Sequence, residues 1–330
     1  MSTKDTLEVG LTAETLYNQS IESDVFGELD VTFRTADVET TDDVVEAFAG
    51  VDAVIDRLNS VPYPRDVIDR LAAEGCRVLA RCGIGVDMID HEWAAERGMS
   101  VVNVPEYCID EVSTHAFALM LACLRKIPTF DRSVKRGEWE WAAGQPMRRL
   151  AGSTVGLVAF GKLARRFAAK LRGFDVDVVA YDPYVPAYRM SDFGVESVTF
   201  ETLLADADVV SLHAPLTDET RGMIDADALD RMDEDALLVN TARGGLVDET
   251  ALFDALVSGD LGGAGLDVRE SEPPGESSLH GLDSVVCSPH VAWYSEESRV
   301  ELTRTVAEDV IRVLRGEEPE NPIDPETGWF

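Results

Sequence analysis

Lysine is almost missing. Of 29 cationic side chains in 330 residues only five are lysines (Lys4, Lys126, Lys135, Lys162, Lys170), against 33 Asp and 29 Glu, so the formal net charge is −33. A surface so short of positive charge repels polyanions, which argues against nucleic acid and against an anionic membrane face as partners. Cysteine is scarce too: Cys76, Cys82, Cys108, Cys123 and Cys287 are scattered and form no CxxC pair, so neither a metal site nor a disulfide framework is expected. Long apolar runs are absent. The longest, residues 116–124, is too short to span a bilayer. The N-terminus, MSTKDTLEVG, lacks the basic start and apolar stretch of an export signal. A reduced, cytoplasmic protein is the expectation.

What is present is the material of a core. Hydrophobic residues make up 45% of the chain, too many for a disordered polyanion. The length allows two domains. An acidic exterior nearly stripped of Lys resembles proteins adapted to high internal salt, where a Debye length of roughly 3 Å at 1 M screens self-repulsion. The plainer alternative is an ordinary acidic protein.

Short β-rich runs alternate with helical stretches. Strands are expected at 31–34, 53–55, 77–81 and 100–104, then at 154–159, 176–181, 209–213, 236–241, 263–268 and 285–288. Amphipathic segments at 41–48 and 64–73, a long helix over 111–125 and a last helix over 295–314 lie around them. Near-continuous Val/Leu/Ala strands separated by helices predict parallel sheets covered on both faces. A domain boundary is suggested by Asn103-Val-Pro105, and the terminal helix is expected to return to the first domain.

The run Thr154-Val-Gly-Leu-Val-Ala-Phe-Gly161-Lys-Leu-Ala164 reads as a buried strand entering a helix, with a turn Ala159-x-Gly161-x-x-Ala164. The dinucleotide fingerprint is GxGxxG/A, so the first glycine is replaced by Ala159 and the middle one, which admits a pyrophosphate, is kept. The next strand ends at Asp182, a carboxylate suited to the ribose hydroxyls of NAD and hostile to a 2′-phosphate. A plain βαβ turn with a capping Asp is the structural alternative. Twelve cations against three acids between 122 and 172 leave that segment at +9 and the rest of the chain at −42. Such an island suits an anionic cofactor or a subunit contact. Lys162 lies in the turn itself.

Four later strands end in chemistry: His213-Ala-Pro, Thr241-Ala-Arg243-Gly-Gly, Asp267 with Glu270 and Glu272 after it, and Ser288-Pro-His290. Ligands of open α/β sheets sit outside the carboxyl ends of strands, so these residues converge in space. A guanidinium clamps a carboxylate, an imidazole moves a proton near neutral pH, and a carboxylate beside it orients the ring. Spacing does not choose between Glu270 and Glu272. His115, among Ala, Phe and Leu, reads as structural, and His91 and His280 as surface residues. Cys108 is either a core residue or faces the site. Arg57, before the loop 58–64, meets a substrate carboxylate or phosphate, or is a surface Arg.

The runs Val-Asn-Thr-Ala-Arg-Gly-Gly-Leu-Val-Asp248, Leu266-Asp-Val-Arg-Glu-Ser-Glu-Pro273 and Ser288-Pro-His-Val-Ala-Trp-Tyr-Ser-Glu296 resemble the D-isomer-specific 2-hydroxyacid dehydrogenase family, and the last two are most similar to its C-terminal-binding-protein branch. The resemblance reaches back through Tyr181-Asp-Pro-Tyr184 to Arg81-Cys-Gly-Ile-Gly-Val-Asp87. It implies an α/β protein of two Rossmann-like or flavodoxin-like doubly wound parallel-sheet domains with a cleft between them. The expected division is 1–103 plus 297–330 for substrate and 104–296 for NAD. Arg243 would then bind the substrate carboxylate and carbonyl, His290 would be the acid/base, and Glu272 its partner. Ile84 and Gly85 amides, Arg57 and Trp293 would face the substrate. Ile84, Phe160, Gly161, Lys162, Leu163, Asp182, the loop from Ala214 and Pro215 to Thr220, Thr241, Ala242, Arg243 and Asp267 would line the cofactor. A small 2-oxo or 2-hydroxy acid is the implied substrate and a homodimer the implied assembly. Alternatives are a phosphoglycerate-dehydrogenase-like enzyme, for which only Arg57 offers a phosphate anchor and no regulatory domain is expected after residue 330, and an NADH-sensing scaffold.

Overall fold

Every paired strand in the computed structural model runs parallel to its neighbour. The structure describes residues 6–13, 19–27, 29–57 and 61–325. Leu58-Asn59-Ser60, part of the loop after Arg57, lie outside the described residues.

The chain divides into two units, Met1–Tyr107 with Ser295–Phe330, and Cys108–Tyr294. In the first, strands β1 (Leu7–Thr12), β2 (Val31–Ala36), β3 (Ala53–Asp56), β4 (Val78–Arg81) and β5 (Ser100–Val102) alternate with helices α1 (Ser20–Phe26), α2 (Thr41–Phe48), α3 (Arg65–Ala73) and α4 (His91–Glu96). Their order, β2-β1-β3-β4-β5, is that of flavodoxin-like sheets. Strands β3 and β4 are buried at every position, as parallel strands covered on both faces must be. Strand β1 was not among the expected strands although it lies inside the sheet. Its Gly10 lowers strand propensity, yet a Cβ there would stand 2.5 Å from the Phe48 ring, so glycine is what lets α2 pack.

The second unit holds α5 (Ile109–Leu124), α6 (Ile127–Lys135), β6 (Thr154–Val158), α7 (Lys162–Leu171), β7 (Asp177–Tyr181), α8 (Ala187–Ser191), β8 (Glu196–Ser197), α9 (Phe200–Asp206), β9 (Val209–Leu212), α10 (Ala226–Leu229), β10 (Leu237–Asn240), α11 (Glu249–Ser258), β11 (Gly263–Leu266) and β12 (Val285–Cys287). The order β12-β11-β10-β9-β6-β7-β8 is the Rossmann order with one further strand, and it reverses between β6 and β9. Strand β8, two exposed residues at the edge, has no apolar alternation to read. Helix α12 (Glu296–Arg315) starts at the capping box of Ser295 and Ser298, ends at Gly316 in the left-handed region, and packs against α1, β3, β4 and β5 of the first unit.

Candidate active site

Strand β6 leaves its sheet at Ala159, whose φ of 71° is the left-handed conformation that a glycine takes without strain. The turn delivers Gly161 as N-cap of α7, with no side chain capping the helix and no acid in its first turn. A Cβ on Gly161 would meet nothing within 4 Å. The first-turn amides therefore face an open cradle at the positive end of the helix. The Asp182 carboxylate stands beside it: Oδ2 accepts the Phe160 N–H at 2.8 Å and Oδ1 those of Tyr184 and Val185 at 2.8 and 3.1 Å. Asp182 thus locks the turn to the end of β7. The loop after β9 is closed on itself, since the Thr220 hydroxyl donates to the Pro215 carbonyl at 2.6 Å and accepts the Thr217 N–H at 2.8 Å. Half-buried His213 is pushed down by desolvation to about 4, with Ser211 Oγ 3.1 Å from its Nε2, so it stays neutral at pH 7.

At the end of β10, Asn240 closes the turn by donating to the Arg243 carbonyl at 2.9 Å and accepting the Ala242 N–H at 3.0 Å. Gly244 follows because nothing larger fits: its Cβ would lie 1.9 Å from the Arg269 backbone. This close approach sets half-buried Arg243 beside the loop after β11. Arg269, buried, anchors that loop with a two-bond fork to Glu249 at 2.7 and 2.8 Å and bonds to Ser277 Oγ at 2.8 Å and His280 Nε2 at 2.9 Å. Glu249 also takes the Glu270 N–H at 2.8 Å. Glu272 is therefore the carboxylate brought to His290, with Oε2 2.5 Å from Nδ1 and Oε1 accepting the Arg269 N–H at 2.9 Å. Burial pushes the Glu272 carboxyl up, but the His290 hydrogen bond and charge, the Arg269 N–H and the Arg243 guanidinium outweigh it and hold the group below the usual range. Arg243, Glu272 and His290 form one cluster.

Asp267 is buried and already engaged. Oδ1 accepts from Ser288 Oγ at 2.6 Å and Val291 N at 3.0 Å, and Oδ2 accepts from Ala292 N at 2.9 Å, which leaves acceptor capacity on Oδ2 alone. Its carbonyl takes the His290 N–H at 2.7 Å, and the turn holds His290 at φ 52°. Trp293 packs edge-on against Tyr294, centroids 5.5 Å apart. Thr241 Oγ1 is buried with no hydrogen-bond partner among the described residues. An uncapped helix N-terminus, a carboxylate at the end of β7 and an orphaned hydroxyl at the end of β10 together fit a dinucleotide with a nicotinamide end.

Ile84, Gly85 and Arg57 lie in the first unit. The loop carrying Ile84 and Gly85 is braced by Asn103, which donates to the Ile84 carbonyl at 2.5 Å, and by Val104 N on the Gly83 carbonyl at 3.0 Å. Arg57 is not a surface residue: its side chain is buried in an ion pair with the fully buried Glu22, whose Oε2 has no donor among the described residues. Arg81 pairs with Asp56 at 3.7 Å. Cys108 is buried at the start of α5. Much of the basic segment is neutralised by acids elsewhere in the unit, Arg166 and Lys170 by Asp110, Arg148 by Asp235 and Arg132 by Asp283. No group of three His, Cys, Asp or Glu side chains among the described residues could hold a metal, and no described helix is long and apolar enough to cross a membrane.

Residues 117–292 match the family model of the D-isomer specific 2-hydroxyacid dehydrogenase, NAD binding domain. The chain belongs to this family. It is 39% identical to a glyoxylate reductase of Korarchaeum cryptofilum over 86% of each chain. It is 40% identical to a D-3-phosphoglycerate dehydrogenase of Archaeoglobus fulgidus over 77% of this chain and 48% of that protein. The chain thus spans about half the length of the phosphoglycerate dehydrogenases it matches. A solved structure from Thermus thermophilus superposes with a TM-score of 0.84 at 31% identity, covering 96% of this chain and all of that one. The NAD-binding domain of the family is thereby assigned to the second unit's sheet, where the cradle at Gly161 lies.

Proposed function

We propose that this family member is an NAD-dependent oxidoreductase interconverting a 2-oxo acid and a D-2-hydroxy acid. The observation that carries the reading is the cluster of Arg243, Glu272 and His290 at the ends of adjacent strands. The α7 N-terminus, Asp182, Thr241 and Asp267 Oδ2 would hold the NAD, which would supply or accept the hydride. Arg243 clamps the substrate carboxylate and polarises the carbonyl beside it. Glu272 accepts the His290 Nδ1–H and so leaves Nε2 as the nitrogen that gives a proton to the carbonyl oxygen in reduction, or takes it from the hydroxyl in oxidation. Trp293, just beyond His290 in the chain, walls the substrate.

The guanidiniums at the first unit's strand ends face carboxylates, Glu22 and Asp56. Neither of these two guanidiniums is left as surplus positive charge for a phosphate, which supports an unphosphorylated acid over a phosphoglycerate-like substrate. Ile127, Val134, Trp139, Trp141 and Met147 are exposed within the basic segment. Apolar side chains concentrated there, on a chain otherwise strongly acidic, support a homodimer through this face. The acidic exterior supports a cytoplasm of high salt.

The test is NADH oxidation with phosphorylated and unphosphorylated 2-oxo acids from low to molar KCl. Turnover of an unphosphorylated acid is expected, with activity and melting temperature rising with salt. Tight NADH binding without turnover of any acid would sink the enzyme reading and leave the scaffold.

A further inference from the structure

His115, expected to be structural, touches the turn that carries His290. Its Nε2 lies 2.8 Å from Ser288 Oγ and 3.5 Å from Asp267 Oδ1. Helix α5 comes this close because β11 carries Gly265, where a Cβ would stand 3.0 Å from Leu119 Cβ. Proton counting fixes the direction of the chain of bonds. A carboxylate only accepts, so the single Ser288 hydroxyl proton goes to Asp267 at 2.6 Å. Nε2 of His115 must then be the donor to Ser288 Oγ. The order is His115 Nε2–H to Ser288, Ser288 O–H to Asp267, and Val291 and Ala292 N–H to the same carboxylate.

We propose that His115 is a positioning residue for the reaction at His290. It donates to Ser288, fixes that hydroxyl on Asp267, and so holds the turn 288–292 and the one open acceptor site of Asp267 in place. The proposal rests on the acid/base reading of His290. With His115 lacking the donor, the Ser288 hydroxyl regains its rotor freedom, the Asp267 carboxylate loses one of its restraints, and a turn already held at φ 52° at His290 loosens.

Three variants test it. His115→Phe keeps an aromatic ring and removes the donor, His115→Gln keeps an N–H of similar reach, and Ser288→Ala removes the relaying oxygen. Amide hydrogen exchange is read on the peptide 288–294 of the full chain without ligand, with the β9 amides as the control for folding. The Val291 and Ala292 amides should exchange faster in H115F and S288A and return to wild-type protection in H115Q. Misplacement of the acid/base group should lower kcat about tenfold in H115F and make H115F/S288A no worse than S288A alone. Should H115F unfold, S288A carries the same expectation. Wild-type exchange and kcat in H115F, equal loss in H115F and H115Q, or additive losses in the double variant would overturn the proposal. If the wild type reduces no 2-oxo acid, the enzyme reading falls, and the exchange measurements still decide whether His115 holds the turn.

Discussion

Both sheets are parallel and both gather charged side chains at the carboxyl ends of their strands, but they treat those charges in opposite ways. In the first unit Glu22 and Arg57 are sealed from solvent, at 0% and 2% side-chain exposure. In the second, Glu272 and His290 stand at 37% and 36%. A sealed pair cannot exchange protons or partners without opening the structure, so it holds loops in place. A half-exposed pair keeps one face for its partner and one for a ligand. Two parallel sheets of different strand order thus carry a brace in one unit and, in the proposed function, a reaction centre in the other.

Removing the guanidinium at the open site should have the largest effect. Arg243→Ala is expected to lower kcat/KM by more than about 10³-fold, beyond roughly 4 kcal/mol of transition-state stabilisation, while NADH affinity measured by fluorescence changes little. Equal loss of both would contradict a substrate-clamping role. At the closed site the cost falls on stability instead. Arg57→Met leaves Glu22 charged and buried without its partner, and should destabilise the first unit by about 3–5 kcal/mol in denaturant melts. If Arg57→Met melts like the wild type, the pair is not the brace described.

The strand ends of the second unit were legible because parallel strands are continuous apolar runs, and the residue that follows such a run falls at the ligand edge. Arg243, Asp267 and His290 are found that way. What was not legible is pairing at long range. Glu22 lies 35 residues from Arg57 and His115 lies 173 from Ser288, and such separations write no local pattern. Spacing also left Glu270 and Glu272 equal. The decision comes from Arg269 and Glu249, which tie down the Glu270 amide and turn Glu272 toward His290. The strand β1 escaped for a related reason: its glycine is explained by a ring on α2, not by its neighbours in sequence.

A third experiment sharpens the contrast with pH. His213, at a strand end of the second unit, behaves like the closed site, because burial pushes it from 6.5 down to about 4. The unfolded chain binds this proton below pH 6.5 and the folded chain only below about 4. Stability is thus fully expressed above 6.5 and is lost as the pH falls through that window, by roughly 2–3 kcal/mol. In His213→Gln that part of the slope should vanish, measured as urea midpoints at pH 7.5, 6, 5 and 4. An unchanged slope would mean that His213 is free to charge, and that the second unit's edge is more open than its burial indicates.

The smallest effect belongs to Ala159, at the entrance to the cofactor cradle. An alanine at φ 71° is strained by its Cβ, and Ala159→Gly relieves that strain while giving the unfolded chain more freedom. The first term is roughly 1–2 kcal/mol and the second up to about 1 kcal/mol, so a net gain of about 0.5–1 kcal/mol in melts of the ligand-free protein is expected. The turn keeps its shape in both forms, since the Ala159 and Phe160 amides donate to Tyr181 O and Asp182. NADH affinity should accordingly change less than about twofold, an effect below roughly 0.4 kcal/mol. A large gain in affinity would show instead that the alanine methyl crowds the pyrophosphate, and that this departure from the fingerprint tunes binding and not only strain.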